Sequence, residues 1–177
     1  MEEGIKKILE KIKFVKEREK KKIEELRKEL EEEERKEEEY RKRKASVFNE
    51  SFKTAEQIFD WAKKLLSHKE IDEVFSFFNG TLDAGLTLMN MIPIFHGSGY
   101  HDTKPVEDRH ACASLYLKKD GTFFYRERWK WAEGIHLEIK TPEEMARKLD
   151  PKFIKETLNT IKTDKIWENI SRFVERS

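Results

Sequence analysis

The chain has 177 residues, 41% of them charged and 37% hydrophobic, with a formal net charge of +1. The balance of sign excludes a protein that coats nucleic acid or an anionic membrane by bulk charge, so any such contact has to come from a local patch. A single cysteine, Cys112, excludes an internal disulfide, and no apolar run approaches a membrane span, so the sequence reads as a cytoplasmic chain with no membrane partner.

Residues 1–45 carry 17 basic and 15 acidic side chains. Ile5, Ile8, Ile12, Val15, Ile23, Leu26 and Leu30 recur in steps of three and four, which predicts one apolar stripe along a helix. The stripe passes through Glu19, where the spacing becomes that of a nearly straight seam rather than a tight left-handed one. On the other faces Glu precedes Lys or Arg by four residues repeatedly, as in Glu24–Lys28, Glu32–Lys36, Glu37–Arg41 and Glu38–Lys42, the orientation that favours a helix with little to pack on. The segment is therefore expected to be a coiled-coil-type helix, with residues 5–30 mediating a homo-oligomer or serving as a seam for a partner protein.

Residues 46–177 are expected to form one α+β domain. Thr54 with Gln57 and Ser67 with Glu70 have capping-box spacing and predict helices over Ala55–Leu66 and His68–Asn79, the second stopped by Gly80. A further helix is predicted over Leu82–Met91, ended by Pro93. The period then changes to two. Ala111–Lys118 and Thr122–Trp131 flank Lys119-Asp120-Gly121, and a three-residue loop with left-handed Gly121 sets Leu117 opposite Phe123 and Leu115 opposite Tyr125. That register keeps one face apolar. Similar turn chemistry at Trp131–Gly134 would place Trp131 opposite Ile135, Trp129 opposite Leu137, Glu127 opposite Ile139 and Glu138 opposite Arg128. The outcome is a three-stranded antiparallel meander, its apolar face covered by helices. Those after the sheet begin at Thr141-Pro142, at Asp150-Pro151 and near Thr163, the last directing Ile166, Trp167, Ile170, Phe173 and Val174 to one side. A winged-helix arrangement is less natural, given the third strand and the long loop before the hairpin.

No motif singles out an activity. Phe95–Cys112 gathers His96, His101, Asp102, His110 and Cys112, the imidazole, carboxylate and thiolate types that a zinc ion takes. Their spacing matches no zinc module, so the stretch reads either as a polar loop with incidental histidines or as the centre of a metal-dependent hydrolase or nuclease. The polar face of the sheet gives the second candidate. Arg126, Arg128 and Lys130 line one strand at about 7 Å per step, with Phe124 and Tyr116 beside them, an arrangement that suits single-stranded nucleic acid. The same face also reads as a solvated or covered surface. These features favour a non-enzymatic interaction protein over the hydrolase. With one Gln and five Asn against abundant Lys and Glu, the chain is also expected to come from a thermophile.

Overall fold

A computed structural model describes residues 2–83, 85–98, 112–128, 134–163 and 165–176. Two compact units are distinguished, Met1–Ser46 and Val47–Ser177. Helix α1 runs without interruption from Glu2 to Leu66. The separate start expected at Thr54 is absent, because no Pro or Gly lies between Gly4 and Gly80 to break the helix. The Thr54 hydroxyl donates instead to the Glu50 carbonyl at 3.0 Å, the back-bond of a helix interior rather than a cap.

In the first unit α1 carries four of the expected pairs: Glu24–Lys28 at 3.7 Å, Glu32–Lys36 at 2.8 Å, Glu37–Arg41 at 2.6 Å and Glu38–Lys42 at 2.8 Å. Hydrogen bonds from Lys36 and Lys42 hold the Glu32 and Glu38 carboxyls below the usual carboxylate range. The stripe residues Ile12, Val15, Ile23, Leu26 and Leu30 are all exposed, as is Leu9. The side chains of Ile5 and Ile8 lie outside the described residues.

The second unit holds the end of α1 and all other elements. Helix α2 spans Ile71–Phe78, shorter than expected, and the Ser67–Glu70 box is not made. The Ser67 hydroxyl donates to the Lys64 carbonyl, extending the end of α1 rather than starting α2. The helix expected over Leu82–Met91 is a hairpin, β1 (Thr81–Asp83) paired with β2 (Leu86–Leu88). Gly85 at φ 84° and Asn90 at φ 54° have left-handed backbones that an α-helix interior does not contain, and the Gly80 N–H donates to Leu88 O at 2.8 Å to close the hairpin.

The main sheet has four antiparallel strands in the order β3 (Met91–Ser98), β4 (Cys112–Lys118), β5 (Phe123–Arg128), β6 (His136–Ile139), one more than the expected meander. The additional strand, β3, lies at the edge and carries Pro93 beside a register shift between Pro93 and Phe95. An edge strand with a bulge is where a strand proline is tolerated. Between β4 and β5 Leu117 faces Phe123 and Leu115 faces Tyr125, and Gly121 adopts φ 86°, as the three-residue loop requires. Between β5 and β6 the pairing differs from expectation: Ile139 faces Phe123, Leu137 faces Tyr125 and His136 faces Arg126. The displacement is an even number of residues, so the faces keep their sidedness, and Ile139 gains an apolar partner where Glu127 would have stood. Ile135 is left 44% exposed. Trp129, Lys130 and Trp131 lie outside the described residues.

Helices α3 (Pro142–Lys148), α4 (Pro151–Lys162) and α5 (Lys165–Arg176) follow. The N-caps of α3 and α4 are as the sequence predicts, whereas Thr163 caps the C-terminus of α4. The Glu144 N–H donates to the Thr141 hydroxyl at 3.1 Å, and the Lys152 N–H donates to Asp150 at 2.7 Å. The Lys140 N–H donates to the Glu144 carboxylate, holding that acid below its usual range. The inner sheet face meets the helices through edge-to-face ring contacts, Phe59 on Phe123 at 4.9 Å and Phe153 on both Phe95 at 4.9 Å and Tyr125 at 5.2 Å. In α5 only part of the expected inward side is buried. Ile166 and Ile170 are, while Trp167 and Val174 on the neighbouring stripe are 42% and 44% exposed; the Phe173 side chain lies outside the described residues.

One buried group works against stability. Thr157 on α4 is fully buried, and its hydroxyl has no hydrogen-bond partner among the described residues. Thr157→Val keeps the shape and removes the unsatisfied group, so it is expected to raise unfolding stability by about 1 kcal/mol. Thr157→Ser, which keeps the hydroxyl and loses a methyl, should lower it. Urea unfolding that ranks the three chains in any other order refutes the assignment.

Candidate nucleic-acid interface on the outer sheet face

The helices occupy the inner face, so the polar alternates of β3–β6 form the opposite one. Register places them in transverse rows. His96, Ser114, Arg126 and His136 stand side by side across the four strands, with Tyr116, Phe124 and Glu138 in the row on one side and Cys112 with Arg128 in the row on the other.

The row through Tyr116 is closed. Tyr116 is 1% exposed, and its hydroxyl donates to the Asp83 carboxylate of the β1–β2 hairpin at 2.8 Å. Burial, then the bond to Asp83, pushes the phenol far above the usual tyrosine range. Tyr116 therefore has no face to offer a base, which corrects its place among the expected contacts. The hairpin was the missed element: read as helix, Leu82–Met91 could not bring Asp83 over the sheet. The turn signal Asp83-Ala84-Gly85 between two Leu–Thr alternations was the clue available in the sequence.

Glu138 does not face Arg128. It stands opposite Phe124 and pairs with Lys118 across two strands at 2.8 Å. That hydrogen bond lowers the Glu138 carboxyl and raises the Lys118 ammonium.

The rest of this face, across all three rows, reaches solvent in part. Arg126 is half-buried, Arg128 and His136 are exposed, and Phe124 is partly exposed with its ring 5.7 Å from the His136 ring. His96 is exposed and its Nδ1 lies 2.8 Å from the Ser114 hydroxyl, which is buried. Two cations, two imidazoles and one aromatic ring thus share a surface about four strands wide. Among the expected contacts the structure brings together Arg126, Arg128 and Phe124; Lys130 lies outside the described residues.

Of the candidate zinc ligands, His96 and Cys112 fall on the same face of adjacent strands, Cys112 one alternate beyond the His96 partner Ser114. His101, Asp102 and His110 lie outside the described residues. Among the described residues no three His, Cys, Asp or Glu side chains gather as a metal site.

A concavity of about 710 Å³ lies between Val47–Thr54 of α1 and α4, where Lys53, Lys152, Lys155 and Lys162 stand with Glu50 around a largely apolar lining that includes Val47, Pro151 and Leu158. No helix among the described residues is long and apolar enough to cross a membrane. No protein-family model, curated protein or solved structure matches the chain.

Proposed function

We propose that this is a non-enzymatic interaction protein that self-associates through residues 5–30 of α1 and binds single-stranded nucleic acid on the outer face of its sheet. The observation that carries the second half is the solvent-reaching cluster of side chains on the outer sheet face. On the face away from the helices Arg128 and His136 are exposed, Arg126 is half-buried, and Phe124 keeps part of its ring in solvent. Guanidinium groups on alternate strand positions match the repeat of an extended phosphate backbone, and an accessible ring offers a stacking platform that accepts any base. The exposed seam of α1 supports the first half, since its described apolar residues Ile12, Val15, Ile23, Leu26 and Leu30 all stand in solvent.

Fluorescence anisotropy with a labelled oligonucleotide tests the binding face. Replacing both Arg126 and Arg128 by Ala should weaken binding and reduce the slope of log affinity against log salt by about 0.7 for each phosphate no longer neutralised. Phe124→Ala should cost about 1–3 kcal/mol of binding energy with the salt slope unchanged, because stacking releases no counterions. Unchanged binding by the double arginine variant rejects this face, and loss of binding on changing Lys152 and Lys155 would then place the nucleic acid in the α1–α4 groove.

A further inference from the structure

The seam of α1 carries more information than its apolar residues alone. Leu9, Ile12, Ile23 and Leu26 are symmetric in sequence about the peptide between Glu17 and Arg18, and all four are exposed. Reversing the chain direction therefore lays the seam on itself, Leu9 against Leu26 and Ile12 against Ile23, twice over. A parallel in-register pair matches every stripe residue with its own copy, whereas the reversed pair also sets Val15 beside Lys20 and Ile8 beside Arg27, whose aliphatic stems can lie over them, so the apolar match excludes neither orientation. Charge does.

At 3.6 residues per turn Glu19 falls in the middle of the apolar stripe, and Lys11, Lys16, Lys22 and Arg27 flank it. Parallel in-register pairing sets Glu19 against its own copy in the seam. Along the rims it sets Lys11 against Lys16 and Lys22 against Arg27. Every one of these contacts is between like charges. Antiparallel pairing places Glu19 beside Lys16 of the other copy, and the two-fold axis makes that pair twice. It leaves Lys11 near Lys22, but those side chains stay on the rim, where solvent and salt screen them. The carboxylate in the seam is the charge that association dehydrates, so its partner sets the orientation.

Resting on the self-association proposed above, we infer that the occupant of this seam is a second copy of the chain in antiparallel orientation, fixed by reciprocal Lys16–Glu19 pairs between copies. The pairs also fix register, because sliding by one helical turn returns Glu19 to an apolar or like-charged neighbour.

The test uses the full chain with Cys112→Ser and a spin label on Glu33→Cys. Glu33 follows the seam on the same side, and its label reads orientation. At about 1.5 Å per residue the antiparallel pair separates the two labels by about 45 Å, whereas the parallel pair holds them within about 20 Å. The second measurement is a charge swap followed by sedimentation equilibrium. Glu19→Lys should weaken dimerisation roughly ten-fold, and Lys16→Glu added to it should restore the original affinity, since the reciprocal pairs reform with exchanged sign. The long label distance together with rescue is the expected result. A short distance in a dimer overturns the orientation while leaving self-association intact. A long distance with no rescue overturns the Lys16–Glu19 assignment. A monomeric mass for the unaltered chain overturns self-association itself, and this inference with it.

Discussion

Gly134→Ala is expected to destabilise the second unit more than the same change at Gly80, Gly85 or Gly121. The reason is steric. Gly134 leads into β6, and a Cβ placed on it would overlap the backbone carbonyl of Glu127 and stand 3.0 Å from the Arg128 nitrogen. Neither obstacle is the flexible end of a side chain, so relief requires the two strands to part. The adjacent hydrogen bond from Glu127 N–H to Ile135 O, 2.8 Å long, would be the first casualty. Overpacking of this kind costs about 1–3 kcal/mol and more where backbone is the obstacle. Gly121→Ala is the control. Its backbone is left-handed at φ 86°, but the added methyl meets only Leu66 Cδ1 at 3.6 Å, an ordinary contact. That variant should lose only the left-handed penalty of about 1–2 kcal/mol. Urea unfolding should rank Gly134→Ala below Gly121→Ala, and the parting of β5 from β6 should also weaken oligonucleotide binding, because Arg126 and Arg128 ride on β5. Equal stability for the two variants would mean that the chain at Gly134 does not pass this close to Glu127.

What could be read from the sequence tracks how local the determining physics is. The caps at Thr141 and Asp150, each followed by Pro, are decided within four residues, and both were legible. So was the β4–β5 register, because the Lys119–Gly121 loop and the apolar alternation agree. The β5–β6 pairing was not, since two registers four residues apart keep the same faces, and only core packing distinguishes Ile139 against Phe123 from Ile139 against Glu127. Strand β3 was hidden by Pro93 and by a run of His, Gly and Ser that resembles a loop; its strand character comes from pairing with β4, a contact at long sequence separation. The candidate site followed the same division. Alternation placed Arg126, Arg128 and Phe124 on one face correctly, whereas the burial of Tyr116 depends on Asp83 arriving from a hairpin that propensity alone read as helix.

The proposed binding face and the core are two sides of one sheet, which makes the stability of the inner layer a condition for the outer one. Tyr125 shows the coupling. Its ring lies inward against Phe153, and its hydroxyl donates to the buried carboxylate of Glu127 on the same strand, between Arg126 and Arg128. Burial, then this bond, raises the Tyr125 phenol far above its ordinary value, so it remains a donor across the working pH range. The two arginines are thereby carried on a strand whose alternate side chains, Tyr125 and Glu127, are both buried.

Phe153→Ala is expected to produce the largest loss among core truncations on α4. Phe153 is fully buried and is the one ring that touches both β3, through Phe95, and β5, through Tyr125, among the described residues. Truncation removes two edge-to-face contacts and leaves a void that a sheet on one side and a capped helix on the other cannot close. A buried Phe→Ala change costs about 3–5 kcal/mol, a large share of the 5–15 kcal/mol that holds an ordinary domain together. Phe153→Leu should lose less, since it refills most of the volume while still giving up the ring geometry. The α4 cap offers an internal comparison. Asp150→Ala removes the acceptor for the Lys152 and Phe153 N–H groups and should cost about 0.5–2 kcal/mol, well below the ring. Thermal and urea unfolding of the three variants should therefore order them Phe153→Ala, then Phe153→Leu or Asp150→Ala, by decreasing damage. A Phe153→Ala chain as stable as the Asp150→Ala chain would show that α4 does not pack its ring against both strands.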